Sequence, residues 1–283
     1  MLFTNGAGGE CGCRFLLVRK RDSPDAPHML KLKHLAALCF FLSATLEIAR
    51  ADVLIVADEF PAMEVMADKL KSEEHINTKI ISQANLPASL APFQAVIVYI
   101  HRELSEKSET AFIDYTKAGG RLVVLHHSIS AGKRKNPHWF PFLGVSLPEG
   151  DVSSGGYKWI EGVTLSLVNL NPAHFIMTNK VSYPDSISYV STNAPSHDGR
   201  LPGFTLTNSE VYLNHVHTGR HTRLMGLQYM DVKTGVTYMQ ATAGWTKPAG
   251  KGLIVYLMPG HRKEDFENPA YARIVLNAVI YQP

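Results

Sequence analysis

A chain of 283 residues with 45% apolar and 19% charged side chains can bury a substantial core, which excludes a disordered protein. Its formal charge of +3 is small, and Arg14, Arg19, Lys20, Arg21, Lys31 and Lys33 all precede the expected mature protein. No basic surface therefore points to nucleic acid.

In chain order, residues 1–28 fit no structural pattern: Gly6, Gly8, Gly9 and Gly12 are followed by a basic stretch and by Pro24 and Pro27. A start assigned too early, with Met29 as the true first residue, accounts for them. From Met29 the chain reads Met-Leu-Lys-Leu-Lys-His, then an apolar run from Leu35 to Leu46, then Ala49-Arg50-Ala51. A positive stretch, a short apolar core and a small-x-small site mark a secretory signal peptide over 29–51. The run is shorter than the about 20 residues that cross a bilayer; the alternative is an anchor left uncleaved. The mature protein, 52–283, is thus expected to be periplasmic or secreted, with no membrane span. Cys11, Cys13 and Cys39 all precede the cut, so it carries neither disulfide nor thiol nucleophile.

The mature chain opens with the apolar run Asp52-Val-Leu-Ile-Val-Ala57, a strand buried on both faces. Pro61 suits a first helical turn, and Met63, Met66, Ala67 and Leu70 then share one helix face. Strands are expected at 77–82 and 95–99. Ser105 caps a helix that has Glu106 and Glu109 in its first turn and ends at Gly119-Gly120. Arg121-Leu-Val-Val-Leu125 is another buried strand and runs directly into His126-His127-Ser128. Residues 133–244 are richer in Gly, Pro, Ser and Asn, with short alternating pieces at 164–168 and 224–229. The α/β pattern returns at Gly252-Leu-Ile-Val-Tyr-Leu257, followed by Pro259-Gly260-His261 and a last helix capped by Asn268. The expected fold is a flavodoxin-like, doubly wound and mostly parallel α/β sheet, with a loop-rich, β-containing insertion at about 133–244. It forms one domain over 52–283.

Ligands of such sheets sit beyond the carboxyl ends of the strands, so His126 and His261 are expected to converge. Glu210, Tyr212, His215 and His217 lie in the middle region. Histidine and glutamate together bind divalent metals or move protons, and spacing alone decides neither. Trp139, Tyr157, Trp159 and Trp245 offer faces for sugar rings, although large aromatics are more often core. Histidine-rich loops are common on surfaces, which is the simpler account of His215, His217 and His221. Lys133-Arg-Lys135 reads as a solvated loop.

Gly119-Gly-Arg-Leu-Val-Val-Leu-His126, Trp139, Phe142-Leu-Gly144, Leu201-Pro, Ser209-Glu-Val-Tyr212, Gly250-Lys-Gly-Leu-Ile-Val-Tyr256, Gly260-His261 and Asn268-Pro to Val279 follow in order. Together they resemble the ThuA-like (trehalose utilisation) family, itself similar in fold to class I glutamine amidotransferases. The resemblance implies a catalytic set of His126, Glu210, Tyr212 and His261; beside it, His127, Trp139 and Trp245 are the candidates for contact with the substrate. At such a site a divalent metal, Zn or Mn, on His126, His261, Glu210 and His215 is one option and hydrogen-bond donors without metal the other; no nucleotide cofactor is expected. Ser209 stands where the family has a first acid, and Asn171-Pro172 where it has His-Pro. The implied activity is lyase, hydrolase or isomerase chemistry on small carbohydrates, namely 3-keto-sugars or keto-glycosides, with Glu210 or His126 as base. A carbohydrate-binding protein without turnover and a protein-interaction module are the alternatives; a homo-oligomer is one option.

Overall fold

The computed structural model describes residues 53–190 and 199–283. The expected extension, signal peptide and cysteines lie outside the described residues. One ten-stranded sheet runs through the domain. Its parallel half alternates strands and helices: β1 (Val53–Ala57), α1 (Pro61–Glu74), β2 (Thr78–Ile81), β3 (Ala95–Tyr99), α2 (Glu106–Lys117) and β4 (Arg121–Leu125). Every residue of β1 and β3 is buried, as their unbroken apolar runs require. Pro61 opens α1, and the Ser105 hydroxyl accepts the Ser108 N–H at the start of α2.

After β4 come α3 (Trp139–Leu143), β5 (Val145–Ser146), β6 (Lys158–Asn169), α4 (Phe175–Thr178), β7 (Asp185–Ser188), β8 (Arg200–Leu213) and β9 (Val216–His217). Then follow β10 (Thr222–Met230), β11 (Thr237–Ala249), β12 (Gly252–Leu257), α5 (Lys263–Glu267) and α6 (Pro269–Ile280). The sheet order is β2-β1-β3-β4-β12-β11-β10-β6-β8-β7, parallel from β2 to β12 and antiparallel from β12 to β7; β5 and β9 form a separate two-stranded ladder.

The α/β expectation holds. The middle region is more regular than its composition suggests: the pieces expected at 164–168 and 224–229 lie inside the long strands β6 and β10, which extend the same sheet. Gly and Asn sit there at bends and bulges of long strands, not only in loops. Helices α1, α5 and α6 pack together, and α2 packs with α3 against β4 and β12.

Successive reversals point β8 the same way as β4 and β12. Five strand spacings separate β8 from β4, roughly 24 Å across a flat sheet at about 4.8 Å each. Yet side chains of the two strands' ends touch, at 2.7 Å between His126 and Glu210. The antiparallel half must therefore curl over the carboxyl edge. Register shifts in the β6–β8 and β10–β11 ladders, with positive φ at Gly162 (+68°) and Asn208 (+53°), supply bends of the needed kind.

Candidate functional site

Four side chains meet at this edge: His126 and His127 after β4, His261 after β12, and Glu210 on β8, with one donor atom of each lying within 4.8 Å of the others. Glu210 Oε2 is 2.7 Å from His126 Nε2, 3.1 Å from His261 Nδ1 and 3.5 Å from His127 Nε2. His261 Nδ1 is 3.3 Å from His126 Nε2 and 3.1 Å from His127 Nε2.

His126 is wholly buried and has a φ of +42°, unusual for a residue with a side chain. That turn drops its ring from the strand end toward β12, where Nδ1 faces the Met258 carbonyl oxygen. A carbonyl only accepts, so Nδ1 carries the proton. Nε2 of the neutral ring then turns a lone pair on the Glu210 oxygen. Two acceptors at that distance repel, so a cation, either a proton or a metal ion, belongs between them.

Burial alone would raise the Glu210 carboxyl, but the close imidazoles of His126, His127 and His261 outweigh it and hold the group well below the ordinary carboxylate range. His127 is pushed down to about 2 by burial and by its neighbour His126. The hydrogen bond to Glu210 raises His261. Burial lifts Tyr212 well above its ordinary value, so its hydroxyl, 3.4 Å from His126 Nε2, stays protonated.

The residues fit a divalent ion. Ligand nitrogens about 2.0–2.1 Å from a tetrahedral ion lie roughly 3.3 Å apart. The His126–His261, His127–His261 and His261–Glu210 separations, at 3.1–3.3 Å, are close to that edge length. The donor set, imidazoles plus one carboxylate, suits zinc or manganese.

Asp265 anchors this centre from behind. Its Oδ2 accepts the Ser209 hydroxyl at 2.6 Å and the His261 N–H at 2.9 Å, tying β8 to the loop that carries His261. Ser209, which stands where an acid was expected, is thus the donor that Asp265 requires.

A cleft of about 280 Å³ opens onto the centre, with His101, His127, Trp159, Glu161, Glu210 and Tyr212 on its walls. The structure brings together His126, His127, Glu210, Tyr212 and His261. His215 is not in the cluster: it is buried, stacked on Tyr157 with 5.4 Å between ring centres, and both its nitrogens lack partners among the described residues. His127 stands in the cluster where His215 was expected. Trp139 and Trp245 are fully buried and offer no face to a sugar; the Trp139 indole donates to the Ser128 carbonyl instead. Trp159, 50% exposed, is the tryptophan at the cleft. His217 and His221 stack beside Trp245, away from the cluster.

Lys133 corrects the expectation of a solvated loop. It is fully buried, and its ammonium donates to the carbonyls of Ile100, His101 and His127 at 2.7, 2.8 and 3.0 Å. Basic composition concealed it, because burial of one lysine in a Lys-Arg-Lys run depends on carbonyls distant in sequence. Sequence reasoning also passed over Glu161, Asp265 and His101. For Glu161 a signal existed, since Trp159-x-Glu161 has the same strand alternation as Glu210-x-Tyr212.

Fold and site define a flavodoxin-like α/β domain with a three-histidine, one-carboxylate centre at the carboxyl edge of its sheet. The chain belongs to the ThuA family, described as trehalose utilisation, which it matches over residues 52–282. It is similar to a ThuA-like protein from Parabacteroides merdae ATCC 43184, at 16% identity and a TM-score of 0.57, covering 81% of this chain and 88% of that one. A ThuA-like protein from Bacteroides uniformis ATCC 8492 gives 17% identity and a TM-score of 0.55, covering 81% and 89%. A cytoplasmic protein from Salmonella typhimurium LT2 gives 12% and 0.51, covering 81% and 98%. At these identities the likeness shows the fold. No curated protein matches the chain. None of the helices among the described residues is long and apolar enough to cross a membrane.

Proposed function

We propose that the protein is a metal-assisted enzyme acting on 3-keto-sugars or keto-glycosides, its ion held by His126, His127, His261 and Glu210. The observation that carries this reading is the Nε2 lone pair of His126 aimed at the Glu210 carboxylate, with two further imidazole nitrogens beside it. A ketone at C3 of a sugar acidifies the hydrogen on C2, so a base can take it once the oxygen that gains charge is stabilised. A bound divalent ion supplies positive charge for that oxygen. The chain does the rest. Met258 fixes the His126 tautomer, Asp265 fixes the His261 backbone, and Tyr212 keeps a donor proton at the centre. The β6 and β8 side chains Trp159, Glu161, Glu210 and Tyr212 form one wall of the cleft. Export would let such an enzyme meet oligosaccharides in the cell envelope.

The test is elemental analysis of residues 52–283, purified without a histidine tag from medium containing Zn, Mn, Fe and Co, beside turnover of a 3-keto-glycoside. Near-stoichiometric metal, lost in His126→Ala, with turnover abolished by chelation is the expected result. Full turnover after metal removal would sink the metal part. Sugar-dependent thermal stabilisation with no turnover would favour a binding protein.

A further inference from the structure

The centre has a second, substrate-facing half outside the Glu210-x-Tyr212 pattern. On β6, Trp159 and Glu161 are two residues apart and share one face of the strand. The ladder sets Glu161 opposite Glu210 and Trp159 opposite Tyr212. Directly opposed residues of an antiparallel pair carry Cβ atoms about 5 Å apart on one face, and all four side chains line the cleft.

The two carboxylates have opposite surroundings. Glu210 is buried and engaged by His126, His127 and His261. Glu161 is exposed, and no described residue donates to its carboxylate. Glu210 Oε2 is shared among three imidazole nitrogens, and in the proposed centre its charge would be directed at the ion, whereas the Glu161 carboxylate, one strand away on the same cleft, is left to take a substrate hydrogen. Nearby, Trp159 presents an open aromatic face.

Resting on the keto-glycoside reading above, we propose that Glu161 is the group that carries the proton and that Trp159 is the platform for the apolar face of the sugar ring. The Glu161 carboxylate takes the hydrogen from C2. The C–H electron pair forms the C1–C2 double bond, the C1–O bond breaks, and the proton passes from Glu161 to the departing oxygen. The products are an unsaturated 3-keto-sugar and a free alcohol. The carboxylate is regenerated, and no oxidant or reductant is consumed. If the C1–O bond holds, the same residue returns the proton and the outcome is exchange at C2.

The experiment follows loss or deuteration of the C2 hydrogen of methyl 3-keto-α-glucopyranoside in D2O by NMR, with metal content measured on the same samples. Glu161→Gln is expected to slow the reaction about 10²–10⁴-fold while keeping metal content and probe affinity. Glu210→Gln should lose metal and reaction together. Trp159→Leu should raise KM about three- to tenfold with kcat little changed. A wild-type rate in Glu161→Gln, or loss of its metal, overturns the inference and leaves the function reading standing. An unchanged KM in Trp159→Leu removes the platform. Absence of reaction in the wild-type protein overturns both.

Discussion

Lys133 and His215 show how burial changes what a side chain does. With three carbonyls on one ammonium, Lys133 pins the segment after β3 to the turn that carries His127. Lys133→Met leaves those carbonyls unpaired, and it should lower unfolding stability by about 3 kcal/mol in urea titration. Arginine will not restore it, because a planar guanidinium cannot reproduce the compact three-way contact. His215 is predicted to act through pH. Burial first, and then His217 and His126, push its pKa down to about 3 from an ordinary 6.5. Between those values the unfolded chain binds a proton that the folded protein refuses. Stability attributable to His215 is therefore full above about pH 6.5 and falls by about 1.4 kcal/mol per pH unit as the solution is acidified toward pH 3. His215→Phe preserves the stacking on Tyr157 and removes the titration. Its urea midpoint should depend on pH by one proton less than that of the wild type; equal slopes would refute the assignment.

At the scale of elements, the β6–β8 ladder decides the site. Its register shifts beside Gly162, whose φ of +68° suits glycine. An added Cβ would meet only Asn208 Oδ1, at 3.8 Å, so space is available and backbone strain is the whole effect. Gly162→Val should cost about 1–2 kcal/mol of stability. It should also weaken carbohydrate binding, because Glu161 and Trp159 shift, while metal content, set by residues on other strands and by Glu210, is retained. Calorimetry with and without ligand reads both. The parallel elements were legible in the sequence because each is a self-contained signal: an unbroken apolar run for β1, β3, β4 and β12, and a cap or proline for α1, α2 and α6. The long antiparallel strands were not, because bulges interrupt their alternation and their partners lie far away in sequence.

For the whole molecule, the prediction concerns its ends. Protein expressed from Met29 and recovered from the periplasm should begin at Asp52 by intact mass, and residues 52–283 should unfold at the same Tm as the exported product. Retention of 29–51 on membranes would favour the anchor instead. The α/β class and the convergence of His126 with His261 on one edge of the sheet were determined by the sequence itself, because strand ends in a parallel sheet share one edge whatever the loops do. Tertiary structure alone decided that β8 comes back over that edge. It also placed His127 and not His215 in the cluster, Trp159 and not Trp139 or Trp245 at the cleft, and Lys133 in the interior. Each of those outcomes depends on the accumulated curl of an antiparallel half-sheet, which is set by bulges and packing across many strands and leaves no local trace in the residues it moves.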